Sequence, residues 1–167
     1  MASTLLLDPH KLLRIAPLLT ATATLTLAND QNLHLAPFLH PSHRAKANAL
    51  LPSYFNTWFH RALRYLLPLY GLTIASSVAN IRYFDPQALQ ARGAKAWYVA
   101  GLTFTVLHFA FVPLVMYPVR DIVEDRSGGK SAEDLERWLF VHRIRSVVVD
   151  APGWACFLVG VLKTVVV

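Results

Sequence analysis

The sequence predicts an all-α fold, a four-helix transmembrane bundle with interfacial helical extensions, forming one integral membrane domain over residues 1–167. Three observations carry that prediction. Of 167 residues, 54% are hydrophobic and only 16% charged, and the mean hydropathy of +0.38 lies outside the range of ordinary soluble domains. The run from Ala96 to Val119 holds no charged residue between Lys95 and Arg120. At about 1.5 Å per residue it exceeds a hydrocarbon core of roughly 30 Å. The stretch 131–162 opens as a polar helix and continues into an apolar half, Ser146 to Leu162, that carries a single charged side chain, Asp150.

Taken in order, Asp8, Lys11 and Arg14 precede a run rich in Thr and Ala, and the first span is predicted at about 10–31. Small residues of this kind suit close helix packing in lipid. The run lacks a convincing cleavage site and reads as a retained signal anchor. It ends in Asn29, Asp30, Gln31 and Asn32. A connector with Pro41 and Pro52 is expected over 40–53, after which a helix resumes at Ser53. Asn56, His60 and Arg64 recur at steps of four and share a face of it. The second span is placed at 65–81, with Pro68 and Gly71 as kink positions. A loop around Asp85-Pro86 and Arg92-Gly93 leads to the third span, 96–119, with His108 near its middle. After the acidic loop with Asp121, Glu124 and Asp125, a helix begins near Ala132. Ser131 and Asp134 approximate a capping box there. The fourth span is placed at 146–163, and an even number of spans puts both termini on one side.

The net charge of +6 does not predict nucleic-acid binding, because the basic residues sit at the ends of apolar segments and form no dense block. Ten of the 16 Lys and Arg fall in 40–64 and 120–145, which places that face toward the cytosol. The expected setting is a multi-pass protein of the endoplasmic reticulum or another endomembrane. The single Cys156 excludes an intramolecular disulfide and a Cys-rich metal site. No Gly-x-Ser-x-Gly or dinucleotide fingerprint occurs, and Gly129-Lys130-Ser131 lacks the glycine that a phosphate loop requires. No metal or redox cofactor is expected.

A carboxylate inside an apolar span is costly to keep and is a site by default. Asp150 is that residue, and Trp138, His142, Arg145 and Val149 precede it along one helical stripe. Chain connectivity gathers residues 29–32, 56–64, 120–125 and 142–150 on one membrane face. Imidazole, guanidinium and carboxylate groups then converge at the mouth of an apolar bundle, where a lipophilic small molecule enters from the lipid. The predicted catalytic residues are His142, Asp150, Arg145 and Asp30. Those predicted to bind substrate are Asn29, Asn56, His60, Arg64, Trp138 and His108. For each the bland alternative is an interfacial anchor, a snorkelling cation or an interhelical hydrogen bond.

Leu135-x-x-Trp138-x-x-x-His142-x-x-Arg145, running into a final apolar helix, resembles the closing pattern of the small four-helix membrane proteins grouped with fungal anthrone oxygenases. Asn29 to Pro37 is a looser match. The resemblance implies a cofactor-independent tailoring enzyme of aromatic polyketide biosynthesis, with Trp138, His142 and Arg145 at its site. This chain departs from the anthrone enzymes at Asp150-Ala151-Pro152-Gly153 and in the acidic 121–125 loop. The carboxylates favour acid/base chemistry on a lipophilic polyketide or terpenoid, best read as epoxide hydrolysis or ring opening. The alternatives are a cofactor-free oxygenase or epoxidase and a non-enzymatic membrane scaffold or assembly factor. Expected partners are the substrate, membrane lipid, and pathway enzymes or a second copy of the chain.

Overall fold

The computed structural model describes residues 8–165, and every long element in it is a helix. Helix α1 (Pro9–Leu35) starts from an Asp8 cap whose carboxylate accepts the His10 N–H at 2.9 Å. A 3₁₀ turn, Ala36–Leu39, leads into α2 (Pro41–Arg82). After the short α3 (Pro86–Ala91) come α4 (Lys95–Leu107), a 3₁₀ turn at His108–Phe111, and α5 (Val112–Val123). Helix α6 (Ser131–Arg145), a π-helical turn at Ser146–Asp150 and α7 (Ala151–Val165) complete the chain. Four helical stretches, Pro9–Leu39, Pro41–Arg82, Lys95–Val123 and Ser131–Thr164, are long and apolar enough to cross a membrane. His10 and Lys11 share one groove with Arg92 and Thr164, so the two described ends of the chain meet at one end of the bundle. The termini proper lie outside the described residues.

Three local expectations are corrected. The connector at 40–53 is helix: α2 runs unbroken through Pro52 and Pro68. Proline removes one backbone hydrogen bond, but its φ suits a helix. Around Pro52 the buried stripe Ala47, Leu51 and Phe55 packs against Ala132, Leu135, Trp138 and Leu139, which holds the helix together. The third span is interrupted at its middle. Pro113 cannot donate to Phe109, and the backbone tightens into the 3₁₀ turn on which His108 sits. The capping box at Ser131 does not form. The cap position is Lys130 with no side-chain bond, the Ser131 hydroxyl has no partner among the described residues, and the Ala132 N–H is taken at 2.9 Å by Asn48 Oδ1 of α2. A cap supplied from another helix is invisible to local pattern.

Two packed regions frame the bundle. One joins Leu35, Leu51, Phe55, Ile122 and the buried face of α6. The other joins Leu89, Ala94, Tyr98, Phe157 and Val161. Between α4 and α7 the helices approach closely because glycines leave notches: a Cβ on Gly101 would lie 2.6 Å from the Phe157 ring, and one on Gly160 2.9 Å from Tyr98. Polar groups freed inside the bundle are matched between helices. Pro17 leaves the Leu13 carbonyl without its intrahelical donor, and Asn80 Nδ2 donates to it at 2.7 Å.

Candidate functional site

Helices α1, α2, α5 and α6 enclose an elongated cavity of about 570 Å³. Its walls run from Trp58 to Tyr70 on α2 and from His108 to Glu124 along the antiparallel α5 side, with Thr24, Ala28 and Gln31 from α1 and Trp138 and Arg145 from α6. Most of the lining is apolar: Leu63, Leu66, Leu67, Val112, Val115, Met116 and Val119. Polar groups collect at the two ends. His60, Arg120 and Glu124 lie at one, and Thr24, Tyr70, His108 and Arg145 at the other.

The second end is tied together by the π turn. In an α-helix, side chains five residues apart point away from one another, whereas a wider turn brings them nearly into line. Pro152 has no N–H for the Val148 carbonyl, and the Ala151 N–H bonds instead five residues back to Ser146. The result sets Arg145 Nε 3.2 Å from Asp150 Oδ2. The other carboxylate oxygen, Oδ1, lies 2.8 Å from His108 Nδ1, which is also 2.7 Å from the Tyr70 hydroxyl. Asp150 does not line the large cavity. It sits behind His108 and Arg145, and the three side chains are 9%, 12% and 13% exposed.

Hydrogen-bond roles follow from the partners. An ionised carboxylate only accepts, so His108 Nδ1–H donates to Asp150, and Nε2 keeps its lone pair with no protein partner among the described residues. The Tyr70 oxygen accepts the second branch of that N–H, so its own proton is directed away from His108. His142 is arranged differently. Its Nε2 lies 2.8 Å from the Ala28 carbonyl and must carry the proton. Its Nδ1 therefore accepts from Arg145 Nη2 at 2.8 Å. The ring stacks on Trp138, with centroids 4.9 Å apart and planes 14° from parallel, and His142 is 1% exposed. Both nitrogens are occupied, so His142 orients Arg145 and presents nothing to the cavity.

The structure thus brings together His142, Arg145, Asp150, His108 and Trp138, with Arg145 bridging His142 and Asp150. His60 lies at the far end of the cavity, its Nδ1 2.8 Å from the Asn56 carbonyl oxygen. Asp30 lines a separate groove of about 270 Å³ beside it, with Gln31, His34, Trp58 and Arg61. Asn29, Asn56 and Arg64 are exposed and line neither space. Tyr70 and Thr24 were not singled out from sequence, and Gln31 was named only within the polar cluster that ends the first span. The only local signal was a phenol in mid-span, which needs a polar partner when buried. Among the described residues no group of three His, Cys, Asp or Glu side chains is placed to hold a metal ion.

An all-helical bundle whose core holds an apolar cavity closed at one end by a hydrogen-bonded Asp–His–Arg cluster has the build of a small-molecule site. Comparison with known proteins gives the family. Epoxidase pydX of Acremonium sp is 33% identical over 155 residues, spanning 93% of this chain and 95% of that protein. Probable epoxidase scpX of Mollisia scopiformis is 30% identical over 156 residues (92% and 96%), and epoxidase gkaX of Penicillium citrinum 28% over 158 residues (92% and 94%). The chain belongs to the family that contains these fungal epoxidases. No family model and no solved structure matches it, so the resemblance to the anthrone-oxygenase group rests on the tail motif and the looser match at Asn29 to Pro37.

Proposed function

We propose that the chain is a membrane-embedded epoxidase of secondary metabolism, acting on an olefin of a lipophilic polyketide or terpenoid at an endomembrane such as the endoplasmic reticulum. The observation that carries this reading is the polar end of the apolar cavity, where His108, Tyr70 and Arg145 line one space. The names of its relatives support the direction of the chemistry.

In this reading Asp150 is a positioning residue: it fixes the His108 tautomer and aims Arg145. His108 Nε2 removes a proton from an acidic O–H or C–H of the substrate. Arg145 holds the oxyanion that results, and the electron-rich substrate meets dioxygen. Epoxidation consumes an olefin, dioxygen, two electrons and two protons and yields an epoxide and water. His108 and Tyr70 are placed to handle the protons. The electrons come from the substrate itself in the cofactor-independent form of the reaction, or from an added reductant otherwise. A polar-ended cavity also fits a different, redox-neutral reaction, hydrolytic ring opening: Tyr70 gives its proton to the epoxide oxygen, His108 takes a proton from water, and the hydroxide adds to carbon to yield a diol.

The test is conversion of polycyclic olefins and their epoxides by membranes carrying the protein, with and without reduced nicotinamide. Gain of one oxygen atom by the olefin, drawn from labelled dioxygen, is expected. Inert olefins together with epoxides that gain one molecule of labelled water would establish ring opening in its place.

A further inference from the structure

The buried stripe of α1 consists of Pro17, Thr24, Ala28, Gln31 and Leu35. Four of these make sense as packing or as part of the site already described. Gln31 does not. It is 8% exposed, yet its carboxamide makes no hydrogen bond to any described residue, and its polar atoms are not sealed in protein. They open onto the large cavity and onto the smaller groove beside it, since Gln31 lines both, at the waist formed with Trp58 and Leu66. An amide that loses its water without gaining a partner is destabilised, so a ligand that fills this space must supply the hydrogen bonds that the water gave. A side chain placed in this way at the wall of a cavity is poised for a ligand.

We infer that Gln31 is a specificity-determining residue that pairs with an uncharged group on the substrate able both to donate and to accept, for which a carboxamide is the complement. The chemistry of the side chain dictates the class: one carbonyl acceptor and an NH₂ donor side by side match a ligand amide in a two-bond pair. A carboxylate or ammonium would satisfy only half of Gln31, and a hydrocarbon none of it. The surroundings agree. Trp58, which lines both spaces together with Gln31, supplies an aromatic wall, so a polar group carried on a polycyclic frame can be packed and hydrogen-bonded together. Position adds a length. Gln31 lies seven residues from Thr24, which borders the Tyr70–His108 end, and this corresponds to about 10 Å along α1. The amide and the reacting carbon atoms are therefore separated by about that distance in the substrate. The inference rests on the cavity being the substrate site and deepens that reading.

Binding tests it without turnover. The probes are pyrene and 1-pyrenecarboxamide, added to the full-length protein in detergent and followed by energy transfer from the cavity tryptophans. Wild type should prefer the carboxamide by about tenfold, the equivalent of one well-made hydrogen-bond pair. Gln31→Met should bind pyrene as wild type does and lose the preference. Equal binding of the two probes by wild type, or an undiminished preference in Gln31→Met, would overturn the assignment, as would absence of binding by either probe. Should Gln31→Met lose both probes, Gln31→Leu decides: it removes both the donor and the acceptor with a smaller apolar side chain, and a retained preference there overturns the proposal. A carboxamide preference in protein that fails to oxidise olefins would sink the epoxidase reading and leave the role of Gln31 standing.

Discussion

Replacing Asp150 by Ala removes the acceptor that holds both His108 and Arg145, and the cost can be worked from the geometry. The carboxylate is 9% exposed and the Arg145 side chain 13%. Without Asp150 the guanidinium is left nearly buried, with His142 Nδ1 as its remaining side-chain partner. Breaking a buried ion pair from one side costs about 3–5 kcal/mol, chiefly because the other charge stays behind. Water in the adjoining cavity relieves part of this, so the lower end, about 3 kcal/mol, is expected. The double variant Arg145→Met/Asp150→Leu removes both charges and should return to within about 1 kcal/mol of wild type, since apolar replacement of a buried pair is often neutral. Equilibrium unfolding in mixed micelles, followed by tryptophan fluorescence, measures all three proteins. Asp150→Ala as stable as wild type, or a double variant no more stable than Asp150→Ala, would refute the reasoning that the cluster is a coupled buried unit.

Tyr70→Phe deletes a hydroxyl that shares the His108 N–H. It should change stability by no more than about 1 kcal/mol while slowing turnover at least tenfold, roughly, if the phenol handles a proton. His142→Phe keeps the stack on Trp138 but leaves the Ala28 carbonyl and Arg145 each short of a partner. A loss of about 1–3 kcal/mol is expected, with turnover falling because Arg145 is no longer aimed; unchanged unfolding would show that the ring merely fills space. Gly101→Ala places a Cβ 2.6 Å from the fully buried Phe157 ring and should destabilise the α4–α7 contact by about 1–3 kcal/mol, read in the same unfolding assay.

The helices were legible because the signals for them are local. Charge-free runs and proline positions lie within single stretches, and the span at 96–119 became α4, the His108 turn and α5 with little displacement. Asp150 was legible for a related reason: one carboxylate in an apolar helix must be compensated by something. What compensates it was not legible. His108 and Tyr70 come from other helices, and the π turn that aligns Arg145 with Asp150 follows from the missing N–H of Pro152, for which sequence alone suggests no more than a kink. The stripe Asn56, His60 and Arg64 shows the opposite failure. Helical spacing identified a polar face correctly, but spacing does not say which way a face points, and only His60 reaches the cavity. The surroundings of His142 were hidden for the same cause: its Trp138 stack and its bond to the Ala28 carbonyl are tertiary facts.

In the proposed reading, Asp150 holds His108 and Arg145 at the end of an apolar cavity for oxygen transfer to an olefin. The most direct measurement is single-turnover incorporation of labelled dioxygen by wild type and by Asp150→Asn, each shown to be inserted and folded. Wild type should place one labelled atom in the olefin, and Asp150→Asn should do so at least about 10²-fold more slowly, the lower end for a group on which acid/base catalysis depends. Wild-type rates in Asp150→Asn, or product oxygen drawn from water, would contradict the account.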